Sequence, residues 1–217
     1  MKSVKDLCFE ILGRTAIVTG ASSGLGVTFA ETLAESGVDV VIAARRYDKL
    51  VEVAKRLERL GRRVISVQTD VTKEEDVDRM VRTAVENFGR VDILVNNAGA
   101  ATVSPSIEMS LEEWNRVINV NLTGVFLCAR AAAKEMMKRK YGKIINIASI
   151  YGAVGDVFPS APYYATKGAV INLTRAFAIE WAPYKINVNA IAPGFFPSEM
   201  TAPIFKDEKT LGYIVSK

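Results

Sequence analysis

Six short runs dominated by β-branched and other apolar residues constrain this chain most: Thr15–Thr19, Asp39–Ala44, Arg63–Thr69, Asp92–Asn96, Lys143–Ala148 and Ile186–Ile191. Several are apolar at nearly every position, as expected of strands buried on both faces of a parallel sheet. Between them lie Leu25–Ser36, Asp48–Leu60 and Glu74–Phe88, with apolar residues at three- and four-residue spacing. That period predicts helices, and Gly37, Gly61 and Gly89 stand where helix C-terminal stops belong. Two longer helices are predicted over Leu111–Arg139, broken near Asn119, and over Tyr163–Ala182. Parallel strands need crossover connections of one hand, so the alternation predicts an α/β doubly wound sheet with helices on both faces.

At 217 residues, with 49% hydrophobic and 24% charged side chains, the chain has the bulk and balance of one globular domain. No internal repeat or linker divides it, and residues 1–217 read as one domain. No apolar run is long enough to span a bilayer. The stretch Met1–Gly13 places Lys5, Asp6 and Glu10 among its apolar residues, unlike a signal peptide. A cytoplasmic location is the expectation, with no membrane partner. Cys8 and Cys128 are far apart and show neither metal nor disulfide spacing.

The chain has no histidine. Ser-His-Asp and Cys-His catalysis are therefore excluded and no metal site is expected, which leaves acid–base work to Tyr, Lys, Asp or Glu. The net charge of +4 is spread among alternating acids and bases. No nucleic-acid partner is expected from that pattern, although a local basic patch can still serve a small polyanion.

Thr19-Gly20-Ala21-Ser22-Ser23-Gly24-Leu25-Gly26 follows the first predicted strand and runs into a helix. Glycines there let the backbone turn sharply and approach a diphosphate, whose charge the helix start favours. The glycine spacing differs from the common dinucleotide fingerprint, but the strand–loop–helix context is the right one. In Rossmann-type sheets a carboxylate ending the second strand binds the adenosine ribose and selects NAD. Here that place falls to Ala44, followed by Arg45 and Arg46. A guanidinium pairs with a ribose 2′-phosphate, so NADP(H) is the preferred cofactor and NAD(H) the alternative.

Three further stretches suggest chemistry. Tyr163 and Lys167 are four apart at a helix start, hence on one face. A neighbouring ammonium favours the phenolate and would bring a tyrosine down from its usual value of about 10. Ser149 ends the strand Lys143–Ala148, and Asn121 lies in Asn119-Val120-Asn121-Leu122-Thr123-Gly124. Tyr164 is a rival for Tyr163, but only Tyr163 has a lysine four residues on.

In order and spacing, the loop Thr19–Gly26, Asp70-Val71, Asn96-Asn97-Ala98-Gly99, Asn121, Ser149, Tyr163/Lys167 and Pro193-Gly194 resemble the short-chain dehydrogenase/reductase family. The resemblance runs from about Arg14 to Met200 and implies a Rossmann-like fold. Asn189–Thr201 is similar to the gluconate 5-dehydrogenase branch, and the chain also resembles the 3-oxoacyl-carrier-protein reductases. It implies an oxidoreductase moving a hydride between NADP(H) and a small carbonyl or secondary alcohol. Tyr163 would be the general acid or base, with Lys167 lowering its pKa and contacting the nicotinamide ribose. Ser149 would bind the substrate oxygen, and Asn121 would hold a water in a proton relay. Gly20, Ser22, Ser23, Gly24, Leu25 and Gly26 would hold phosphates, with Arg45 and Arg46 at the ribose. Asp70 and Val71 would meet the adenine, Asn97, Ala98 and Gly99 would line the cleft, and Pro193, Gly194, Phe196 and Ser198 would lie by the nicotinamide. Ser198 stands where the family usually has threonine.

Two departures are visible. The interval from Ser149 to Tyr163 is one residue longer than the family's. Family members also continue past Lys217 with a helix and an edge strand, so the fold is expected without them and the domain incomplete at its C-terminal end. A homo-oligomer, dimer or tetramer, is expected where that end is complete. The alternatives are a non-catalytic or truncated dinucleotide-binding protein, and an NAD-dependent polyol or sugar-acid dehydrogenase. The substrate pocket is expected around Thr102–Ile107, Tyr151–Phe158 and Phe195–Lys217.

Overall fold

The computed structural model describes residues 11–199 and 201–216. Cys8, the N-terminal stretch through Glu10, Met200 and Lys217 lie outside the described residues. The strands are β1 (Thr15–Thr19), β2 (Asp39–Ala44), β3 (Val64–Gln68), β4 (Ile93–Asn96), β5 (Gly142–Ile147) and β6 (Ile186–Ile191). They form one six-stranded sheet in the order β3-β2-β1-β4-β5-β6, every pairing parallel. The order reverses between β1 and β4, which opens a crevice at the strands' carboxyl ends.

Alternation along each strand assigns residues to the two faces. Ala16, Val18, Val40 and Ile42 pack on one face against α1 (Leu25–Glu35) and α2 (Tyr47–Glu58), through Ala30, Ala34, Leu50 and Leu57. Ile17, Val41, Leu94 and Ile144 pack on the other against α3 (Glu74–Phe88) and α5 (Gly124–Arg139), through Met80, Ala84, Cys128 and Met136. Phe177 and Trp181 of α6 (Ala161–Trp181) join this second cluster. Burying each large aliphatic chain contributes about 1.5–3 kcal/mol, so the central strands anchor the fold from both sides.

The long helix expected over Leu111–Arg139 is not broken. It runs as α4 (Leu111–Ile118), one wide π-type turn at Asn119–Thr123, and then α5. The chain absorbs an extra residue in that turn and keeps going, an irregularity common beside functional sites. Gly89 ends α3 in the left-handed conformation expected of it. After β6 the chain continues into α7 (Ala202–Lys206) and α8 (Glu208–Val215). No helix among the described residues is long and apolar enough to cross a membrane.

Candidate active site

A cleft of about 300 Å³ opens at the crevice where the strand order reverses. At one end stand Ser22, Ser23, Arg45 and Arg46; at the other, Ser149, Tyr163 and Lys167. Gly20, Gly24, Leu25, Asp70, Val71, Asn97, Ala98, Gly99, Pro193, Gly194, Phe196 and Ser198 also line it.

Gly26 and Asn121 were expected in the site and are not among the cleft-lining residues. A Cβ on Gly26 would come within 2.5 Å of both Asn97 Nδ2 and Gly20 O, so glycine is needed there for α1 to seat against the loop. The Asn97 carboxamide fastens that loop, donating to Thr19 O at 2.9 Å and Gly20 O at 3.2 Å. Asn121 is buried inside the wide turn. Its Oδ1 accepts from Ala100 N at 2.7 Å, and its Nδ2 donates to Ala100 O at 2.8 Å and Thr166 Oγ1 at 3.2 Å. The wide turn thus hangs on Asn121, tying the segment after β4 to the residue just before Lys167.

Tyr163 and Lys167 enter from the first turns of α6 as the four-residue spacing requires. Lys167 is buried, its Nζ 5.4 Å from the centre of the Tyr163 ring and donating to Ile147 O at 2.7 Å. Burial pushes its pKa down to about 8, because an ammonium is poorly solvated there. Tyr163 shows a direction the sequence did not predict. Burial raises its pKa above the ordinary tyrosine value, while interaction with the Ser149 hydroxyl acts the opposite way. Within the chain the phenol form is therefore favoured. Ser149 lies two residues past the end of β5, and its Oγ caps the next turn by accepting from Tyr151 N at 3.1 Å.

The rival tyrosine points elsewhere. Tyr164 does not line the cleft; it stacks on Tyr151 with ring centres 4.8 Å apart. Tyr151 also meets Phe195 edge-on, and Phe158 meets both Phe195 and Tyr213 of α8. Asp156 accepts from Tyr151 Oη at 3.0 Å and Tyr213 Oη at 2.6 Å. This aromatic group joins two of the three segments expected to shape the substrate pocket. The third is fastened nearby, with Ser104 N donating to Pro159 O at 2.8 Å.

Sequence reasoning missed several contacts. A buried polar chain runs from Asn96 Nδ2 to Asn146 Oδ1 at 2.9 Å, and from Asn146 Nδ2 to Thr174 Oγ1 at 2.9 Å, linking β4, β5 and α6. Asparagines inside otherwise apolar strands were its available signal. Thr201 and Glu199 also line the cleft; the sequence places them in the stretch expected to shape the substrate pocket but assigns neither to the cofactor. Arg46, rather than Arg45, makes the side-chain contacts at the basic end: Nη2 donates to Ser23 Oγ at 2.7 Å and to Ser22 Oγ at 3.1 Å.

A parallel sheet in this order, with its cleft at the crossover and Ser, Tyr and Lys at one end, defines a nucleotide-cleft oxidoreductase architecture. The family model for short chain dehydrogenases matches residues 14–209, and the chain belongs to that family. It is accordingly an enzyme of the dehydrogenase/reductase class. It is 41% identical over 192 residues to a 3-oxoacyl-[acyl-carrier-protein] reductase of Synechocystis sp., covering 88% of this chain and 77% of that one. A gluconate 5-dehydrogenase of Gluconobacter oxydans is 36% identical over 210 residues, covering 96% of this chain and 81% of the relative. Among solved structures, a gluconate 5-dehydrogenase from Burkholderia cenocepacia in complex with NADP and tartrate superposes with a TM-score of 0.88. It is 37% identical, with 93% of this chain and 79% of that chain covered.

Proposed function

We propose that the protein is an NADP(H)-linked reductase of a small carbonyl compound or, in the reverse direction, a dehydrogenase of the matching secondary alcohol. The observation that carries this reading is the convergence of Ser149, Tyr163 and Lys167 at one end of the same cleft whose other end holds Arg46, Ser22 and Ser23. The residues fit a nicotinamide dinucleotide. No side chain caps the start of α1 at Gly24, and Gly24 and Leu25 border the cleft, so backbone N–H groups can meet a diphosphate. Bound there, the cofactor supplies or accepts the hydride.

The chain's own part is position and a proton. The Ser149 hydroxyl donates to the carbonyl oxygen and stabilises the charge that develops on it. Tyr163 transfers its phenolic proton to that same oxygen: its O–H bond breaks as the substrate's forms. Burial keeps the phenol protonated and so ready to donate. The Lys167 cation favours the phenolate left behind. Asn121 positions the residues beside Lys167, and the water-borne proton relay that returns the proton is assigned to it. The relatives' names bracket the substrate class between keto sugar acids and oxoacyl thioesters. We take the described sheet and helices as one catalytic unit working in the cytoplasm as a homo-oligomer, for which exposed Phe126 and Ile179 offer apolar surface.

The test is NADPH oxidation against a panel of ketones and keto acids, with wild type, Tyr163→Phe and Tyr164→Phe. Turnover should fall by about 10²–10⁴-fold in Tyr163→Phe, with cofactor binding retained. Tyr164→Phe should stay within a few-fold of wild type. Equal damage from both substitutions would refute the assignment.

A further inference from the structure

The place that a carboxylate takes at the end of β2 in NAD-binding sheets is Ala44 here, yet a carboxylate does reach that end of the cleft. It belongs to Glu199, which enters from the segment after β6, 153 positions beyond Arg46. Arg46 Nη1 donates to Glu199 Oε2 at 2.8 Å, and Lys49 Nζ donates to Glu199 Oε1 at 2.6 Å. The same guanidinium reaches Ser22 and Ser23. Three chain segments thus meet at one guanidinium: the loop after β1, the start of α2, and the C-terminal segment.

We propose that Glu199 is a cofactor-specificity residue, competing with a ribose 2′-phosphate for Arg46 and favouring a free 2′-hydroxyl. The inference rests on the nicotinamide-dinucleotide reading given above. A 2′-phosphate paired with Arg46 lies within contact range of whatever else that guanidinium holds. Two anions on one cation repel, so the phosphate binds fully only once the carboxylate swings aside. A 2′-hydroxyl instead can donate to the carboxylate where it stands. Lys49 gives Glu199 a partner of its own, so the carboxylate does not depend on Arg46 alone. Hydrogen bonds from Lys49 first, then Arg46 and Ser23, hold Glu199 well below the usual carboxylate range, so it stays ionised at working pH. The choice between the two cofactors then lies between Arg46 and a residue that a reading of β2 alone would never include.

Calorimetric titration of the full chain with NADPH, NADH, adenosine 2′,5′-bisphosphate and 5′-AMP tests this in wild type, Glu199→Gln and Arg46→Ala. In Glu199→Gln the two 2′-phosphorylated ligands should bind about 5–10-fold tighter than in wild type, while NADH and 5′-AMP stay unchanged or weaken. In Arg46→Ala the 2′-phosphorylated ligands should weaken, and adding Glu199→Gln to Arg46→Ala should bring no gain. A Glu199→Gln protein that binds all four ligands with wild-type ratios overturns the specificity role and leaves Glu199 as a fastening for its own segment. Wild type that binds none of the four overturns the dinucleotide reading and the inference with it. Glu199 is half exposed, and the amide keeps its shape, so the variant is expected to fold.

Discussion

Replacing Lys167 by methionine removes a cation that the fold holds out of water. Lys167 is 5% exposed, and its Nζ donates to Ile147 O. Its pKa falls to about 8 from an ordinary 10.5, with burial as the cause. A lysine whose folded pKa is depressed weakens the fold at neutral pH, because the unfolded chain solvates the ammonium better. The sign follows from proton counting. Between the folded and unfolded pKa values the unfolded state binds more protons, so stability rises with pH. The slope there reaches at most about 1.4 kcal/mol per pH unit, and from pH 7 to 9.5 the wild type should gain about 2 kcal/mol from this residue alone. Lys167→Met should lack that gain, while its own cost, the lost bond to Ile147 O, is about 1–3 kcal/mol and independent of pH. Urea unfolding of both proteins at several pH values from 7 to 9.5 isolates the difference, since every other group is shared. The gap between the curves should move by about 2 kcal/mol in favour of wild type as pH rises. Parallel curves over that range would refute the claim that Lys167 is charged at a cost in the folded protein. The variant should also lose turnover.

Gly26→Ala should destabilise the protein by about 1–3 kcal/mol and weaken dinucleotide binding, because the new Cβ lies 2.5 Å from Asn97 Nδ2 and Gly20 O. Thermal melting with and without NADPH checks both effects, and unchanged melting would mean the loop is looser than its contacts indicate. Asp39 is the buried acid that ties β2 to Arg62 and Arg63, with Arg63 Nη2 donating at 2.5 Å. Burial is the largest influence and pushes its pKa up, but the hydrogen bonds and charges of Arg63 and Arg62 together bring it below the usual value. Its stabilisation is therefore present above the ordinary carboxylate pKa and lost as pH falls through the lowered one. Asp39→Asn should cost about 1–3 kcal/mol at pH 7, with the gap to wild type narrowing in acid below about pH 4; chemical denaturation at pH 7 and pH 3 reads the difference.

The sequence carried the sheet and named most of the residues that line the cleft. β1, β2 and β6 fall on the predicted residues, and α3 does too, since strand and helix periods act over a few residues and need no distant partner. The loop Thr19–Gly26 and the Tyr163/Lys167 spacing were readable for the same reason. What local pattern alone could not settle was where each motif residue would end up. Gly26 belongs to the loop by spacing, yet its place is decided by Asn97, more than seventy positions later, pressed against Gly20. The break expected near Asn119 became instead a wide turn pegged by Asn121, because Ala100 and Thr166 supply its partners. The pKa directions of Tyr163 and Lys167 were likewise beyond the spacing, since the degree of burial depends on every element packed around α6. Glu199 is the sharpest case: its stretch is expected to shape the substrate pocket, and only the return of the segment after β6 over the cleft brings it to Arg46. Periodicity and spacing record forces between residues a few positions apart. Desolvation and charge pairing depend on distance in space, which the packed chain alone defines.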